Sequence, residues 1–275
     1  MARDAAGLAV LTVDAPPLNL YTAELRELLA DAVDDLAARP ARALLVRTEG
    51  RVVSGGVDVA LFAEQDGPEA AEALLDEMID LTERVAELPF PTVFAAHGLC
   101  LTWAFEVALA CDVLLAARSA EFGLVERVIG MTPAMGGTQR LAARAGVGRA
   151  KELVMTGERY PAEVLERWNV VNRVLPDEGF DEAALAFAQS LAAGPTRAHA
   201  ATKRVLAHYE AGGVAQADEH VATIAAGLFA TEDLRGAVRS FLADGPGEGD
   251  VRGAVTPGSG VGPGSDVRPW SDVGL

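Results

Sequence analysis

Residues 90 to 117, FPTVFAAHGLCLTWAFEVALACDVLLAA, carry only two formal charges, Glu106 and Asp112, in an otherwise largely apolar stretch. The uncharged run from Leu88 to Phe105 approaches the roughly 20 apolar residues that a bilayer span requires. Pro89 and Pro91 nevertheless break a helix at its start, His97-Gly98 interrupts the middle, and no basic flank sets an orientation. The stretch reads instead as a buried strand, a tight turn and a buried helix, which places an acid inside a protein core. A buried carboxylate is costly unless it is paired, hydrogen-bonded or used.

The rest of the chain narrows what such an acid can serve. At 275 residues the protein can bury a sizeable core. A net charge of -17 argues against a nucleic-acid binder, which needs a basic face, while leaving room for a local basic pocket and a small anionic ligand. The four histidines, His97, His199, His208 and His220, show no metal-binding spacing, so no metal site is expected. Cys100 and Cys111 make no disulfide framework, and the N-terminal MARDAAGLAVLTVDAPP does not look like a signal peptide. A cytoplasmic protein, neither exported nor membrane-bound, is expected.

Periodicity gives an alternating order. LAVLTV (8–13) reads as a strand. YTAELRELLADAVDDLAARP follows as a helix capped by Thr22 and stopped at Pro40, and ALLVRT (43–48) is a second buried strand. A helix over about 68–88, a strand at 92–96, a helix from Trp103 and a strand at 113–117 follow. The crossovers favour parallel strands. From Asp181 helical patterns dominate. The expected division is an α/β core over 1–195, a helical region over 196–245 and a tail over 246–275. That tail holds 8 Gly and 4 Pro in 30 residues, a composition expected to be disordered.

Three segments carry chemistry. In VVSGGVDVALF (52–62) paired glycines, Gly55 and Gly56, let backbone N–H groups approach a ligand. In AHGLCLTWAFEVALACD a helix opens near Trp103, where first-turn N–H groups lack intrahelical partners, and Trp103 shares a face with Glu106. AEFGLVERVIGMTPAMGGTQRL (120–141) brings a second acid, Glu126, in apolar surroundings. Gly136 and Gly137 read as turn glycines that shape a site without taking part in its chemistry. Tyr160 and Trp168 read as core or interface aromatics, Cys100 and Cys111 as buried and inert, and Lys203 and Arg204 as a solvated helix face.

The order and spacing of these segments resemble the crotonase, or enoyl-CoA hydratase/isomerase, superfamily over nearly the whole chain except the tail. APPLNL (15–20), VSGGVDV (53–59), GLCLTWAFEVALACD (98–112), FGLVERVIGMTPAMGGTQRL (122–141) and NVVNRVLP (169–176) match its motifs in register, and LFATEDLRGAVRSFLA (228–243) looks like its closing helix. The resemblance implies a crotonase-like ββα superhelix core with a helical C-terminal oligomerisation region, and a homotrimer or dimer of trimers. It implies a site for an acyl-CoA thioester, with no cofactor beyond the coenzyme A of the substrate. By position the backbone N–H groups of Val57 and Trp103 form an oxyanion hole, Glu106 activates water and Glu126 protonates the α carbon. Gly55, Gly56, Asp58, Gly98, Leu99 and Pro133 line the substrate. Hydration of a 2-enoyl-CoA is the expected reaction; isomerisation, another crotonase chemistry, or acyl-CoA or protein binding without turnover are the alternatives.

The chain departs from the family pattern in four places. Thr102-Trp103-Ala104 stands for a glycine triplet, Ala60-Leu61 for a lysine often found there, Val125 for a proline and Asn169 for a glycine. A Trp103 side chain facing the site would shorten or reshape an acyl pocket; one facing away would leave the chemistry ordinary.

Overall fold

The computed structural model describes residues 1–245, so the expected tail at 246–275 lies outside the described residues. The chain forms two compact units, Met1–Ala188 and the residues from Gln189 onward. Among the described residues no helix is long and apolar enough to cross a membrane.

In the first unit the strands are β1 (Ala2–Arg3), β2 (Leu8–Val13), β3 (Ala43–Thr48), β4 (Thr92–Ala96), β5 (Cys100–Leu101), β6 (Val113–Ala117), β7 (Glu121–Gly123), β8 (Tyr160–Pro161) and β9 (Arg173–Leu175). The helices between them are α1 (Ala23–Ala38), α2 (Ala60–Ala63), α3 (Pro68–Glu87), α4 (Trp103–Ala110), α5 (Gly137–Ala145), α6 (Val147–Thr156) and α7 (Ala162–Arg167). A six-stranded sheet has the order β1-β2-β3-β4-β6-β9, parallel throughout except for β1, and β5-β7-β8 form a small second sheet. Parallel strands covered on both faces need continuous apolar runs, and TVFAA and VLLAA supply them.

The long elements follow the sequence closely. Thr22 caps α1 by accepting from Leu25 N, and Leu25, Leu29, Val33 and Leu36 form its buried stripe. The small sheet has no counterpart in the expected layout, because two- and three-residue strands leave no periodic signal. The stretch that runs into Gly55-Gly56, expected as a strand, makes only isolated parallel bridges: Ser54 pairs with Cys100, and beyond the glycines Val57 pairs with Tyr21.

The two acids of the apolar run have different fates. Asp112 joins the end of α4 to the start of β4: its carboxylate accepts from Thr92 N at 2.8 Å and Thr92 Oγ1 at 3.0 Å, while its own N–H donates to Thr92 Oγ1. Glu106 faces inward from α4, which is buried at all eight of its positions.

The second unit contains the end of α8 (Phe180–Ala193), then α9 (Thr196–Ala226), kinked at Gly212-Gly213, and α10 (Glu232–Asp244), which Thr231 caps. It exposes Val214, Phe229, Val238, Phe241 and Leu242.

Candidate active site

The loops that follow β3 and β4 meet at the C-terminal side of the parallel sheet, where open α/β sheets place their ligands. Ser54 N donates to Leu99 O at 3.0 Å and Leu101 N to Ser54 O at 3.2 Å, which zips the two loops together. Val57 lies three residues past Ser54, and Trp103 two residues past Leu101. On the other side of Val57, Tyr21 N donates to Gly56 O and Asp58 N to Tyr21 O, both at 3.0 Å. That pairing turns the Val57 N–H away from Tyr21. The Trp103 N–H opens α4, one of the donors a helix start leaves over. Neither N–H has an acceptor among the described residues.

The Trp103 side chain lies in the core. Its indole is 1 % exposed, donates Nε1–H to Asn19 O at 3.0 Å and leans on the Tyr21 ring at 5.9 Å between centroids. A side chain so enclosed does not line an open pocket; it braces the start of α4 against the loop that ends β2. Asn19 is the node of that loop, its amide donating to Glu49 O and Val52 O and its Oδ1 accepting from Ala15 N. The backbone strain falls one residue earlier. Thr102 has φ 48° and ψ −116°, a conformation natural to glycine and costly for a β-branched residue, and its buried hydroxyl has no partner.

Glu106 is 2 % exposed. Its Oε2 accepts from Met135 N at 2.9 Å and Gly137 N at 2.7 Å, which leaves Oε1 for another partner. Gly137 thus shapes the site by donating its N–H to the Glu106 carboxylate. Gly136 adopts φ 85°, and at Gly137 a Cβ would lie 2.7 Å from Glu106 Cγ, so only a glycine lets the carboxylate dock.

Glu126 opens a short 3-10 helix, Glu126–Ile129, and both its carboxylate oxygens are buried without a hydrogen-bond partner. Burial pushes Glu126 up to about 7. Burial first, and the nearby Glu126 charge second, push Glu106 up to about 8 against the pull of the two N–H donors and of Arg140. Two carboxyls that titrate near neutrality within each other's field can take and give protons at physiological pH.

Of the other expected site residues, all but Pro133 lie on the same two loops. Gly55 N donates to Leu18 O, and Gly56 touches Thr102, where a Cβ would sit 3.4 Å from its Oγ1. At Gly98 a Cβ would lie 3.2 Å from the Arg51 carbonyl, a tight approach that glycine leaves open, and Leu99 O accepts from Ser54 N. Asp58 accepts from the N–H of Ala60, the first residue of α2, at 3.0 Å. Pro133 is buried on the segment between Glu126 and Met135. Sequence reasoning passed over Thr82 and Arg140, which bond to the Met135 carbonyl. Arg140 stood in the matched GGTQRL motif; Thr82, in an ordinary amphipathic helix, gave no signal.

Comparison with known proteins shows the family and the fold. The family model described as enoyl-CoA hydratase/isomerase matches residues 3–246. A protein named probable enoyl-CoA hydratase of Rhodobacter capsulatus is 33 % identical over 199 residues, covering 72 % of this chain and 77 % of the relative. One of the same name from Bacillus subtilis is 35 % identical over 152 residues; that match covers 55 % of this chain and 59 % of the relative's length. The crystal structure of an enoyl-CoA hydratase from Bacillus anthracis superposes with TM-score 0.78 at 26 % identity, over 85 % of this chain and 92 % of that one. Matched by the family model over nearly its whole length and built on the same fold, the chain belongs to the enoyl-CoA hydratase/isomerase family of the crotonase superfamily.

Proposed function

We propose that the protein is a hydratase that adds water across the double bond of a 2-enoyl-CoA thioester. The observation that carries this reading is the presence of two acids with enclosed carboxyls, Glu106 buried and held by two N–H donors and Glu126 half-buried with both carboxylate oxygens buried and unpartnered. A double-bond shift needs one proton carrier, whereas water addition uses a base for the water and an acid for the α carbon.

In this reading the thioester oxygen sits between the N–H groups of Val57 and Trp103. Glu106 Oε1 takes a proton from water, and the hydroxide oxygen bonds to the β carbon. The electron pair of the double bond moves toward the carbonyl as an enolate, whose charge the two donors meet. Glu126 then protonates the α carbon, giving a 3-hydroxyacyl-CoA. Removing one such donor costs about 3 to 4 kcal/mol in comparable sites. Glu106 suits the base role because its two N–H donors stabilise the carboxylate. Near pH 7.5 the pair shares about one proton. The values of about 8 and about 7 put it first on Glu106, yet the two carboxyls lie close together. A bound water and thioester can reverse that order.

Assembly as a trimer through the C-terminal helices and a cytoplasmic location belong to the same proposal; the exposed apolar residues of the second unit support the first. The test is loss of the conjugated enoyl-thioester absorbance with short and medium 2-enoyl-CoA substrates, run beside Glu126→Gln. Loss that requires Glu126 supports hydration. Absence of turnover on every chain length overturns it, and a CoA binding titration then separates another crotonase chemistry from a relative that binds without turnover.

A further inference from the structure

We propose that Thr82 is a positioning residue for Glu106: from the buried face of α3 its hydroxyl, together with Arg140, pins the Met135–Gly137 turn whose N–H groups hold the Glu106 carboxylate. The kinetic consequence rests on the hydratase reading above; the structural claim does not.

A threonine inside a helix satisfies its hydroxyl by bonding back to the preceding turn. Thr82 does this weakly and something else more strongly. Its Oγ1 lies 2.9 Å from Ile79 O but 2.7 Å from Met135 O, an acceptor 53 residues away. The hydroxyl has one proton, and the shorter contact takes the larger share of it. Arg140 Nη1 completes the contact, donating to Met135 O at 3.3 Å and to Thr82 Oγ1 at 3.4 Å. Its guanidinium occupies the space that a side chain at Gly136 would need.

The Met135 peptide unit thus faces two ways. Its carbonyl is held from α3 and α5, and its N–H, with that of Gly137, is aimed at Glu106 Oε2. Thr82 is fully buried and touches neither carboxylate, so it has no route to substrate except through this turn.

The experiment compares wild type, Thr82→Val and Thr82→Ser in enoyl-CoA hydration across pH, with thermal midpoints measured alongside. Thr82→Val keeps the shape and removes the bond. It is expected to lower kcat about tenfold or more, as misplacement of a reacting group by a fraction of an ångström does, while KM stays within about twofold. The limb governed by Glu106 moves to higher pH, because loosened N–H donors no longer favour its ionised form. Thr82→Ser restores both. A kcat within about threefold of wild type with an unmoved pH profile, or a serine variant that matches valine, overturns the proposal. If wild type hydrates no enoyl-CoA, the hydratase reading fails and the positioning claim is read by infrared titration of the protonated buried carboxyls, assigned with Glu106→Gln. A higher Glu106 titration in Thr82→Val upholds it, and an unchanged one overturns it.

Discussion

Replacing Gly137 with alanine tests whether the glycine pair serves the acid. The added Cβ would lie 2.7 Å from Glu106 Cγ and 2.8 Å from its Oε2, and ordinary contact begins at 3.4 Å. Something must yield by about 0.7 Å. Both groups are buried, with Glu106 on a helix enclosed on all sides, so the carboxylate itself is what swings away. It would lose the 2.7 Å bond from Gly137, a hydrogen bond to a charged group worth about 1.5 to 3 kcal/mol. It would also lose its aim, and a displacement approaching 1 Å costs on the order of 100-fold in rate. Gly137 opens α5 in a helical conformation, where alanine is favoured over glycine by up to about 1 kcal/mol, so the fold is only modestly affected. The expected result is a kcat reduced by about 10- to 100-fold with KM nearly unchanged and a folded protein by thermal melt. A fully active Gly137→Ala enzyme would refute the close-approach argument.

Thr102→Gly should raise the thermal midpoint. It removes a positive φ worth about 1 to 3 kcal/mol and an unpartnered buried hydroxyl, against a chain-entropy cost of about 0.5 to 1 kcal/mol. A drop in midpoint would mean that the threonine side chain is needed where it packs against Gly56. Glu106 and Glu126 both have folded values above those of an unfolded chain, so their contribution is fully present below about pH 4.5 and is lost as pH rises through about 7 and 8. Glu106→Gln and Glu126→Gln should therefore raise the midpoint more at pH 8 than at pH 5, in melts at the two pH values; equal shifts would contradict the burial argument. Trp103→Phe, which keeps an aromatic side chain but drops the bond to Asn19 O and part of the buried indole volume, should cost at least about 1 to 3 kcal/mol in denaturant unfolding. No loss of stability would remove the brace.

Much of this site is legible in the residues, and the reasons differ by element. The long strands and helices announce themselves through period and caps: Thr22 before α1, Pro40 after it, and the apolar runs of β4 and β6. Glu106 stands out because a charge in an apolar run is conspicuous, and the order of five motifs adds Val57, Trp103 and Glu126. The direction of the Trp103 side chain is not legible, because a tryptophan in a glycine position fits a pocket wall and a core equally well until Asn19 and Tyr21 are in place around it. Gly137 reads as a turn residue until the carboxylate is seen lying where its Cβ would be. Thr82 is invisible because its partner is a backbone carbonyl 53 residues away, and backbone atoms leave no mark in the sequence.

Isotope incorporation into the product of a 2-enoyl-CoA tests the water-addition chemistry most directly. The wild-type protein would be incubated with substrate in deuterium oxide and, separately, in water enriched in heavy oxygen, and the acyl product analysed by mass spectrometry and NMR. Addition between Glu106 and Glu126 predicts a heavy oxygen on the β carbon and one deuterium on the α carbon, both absent with Glu126→Gln. A product without heavy oxygen on the β carbon, or the same labelled product from Glu126→Gln, would contradict it.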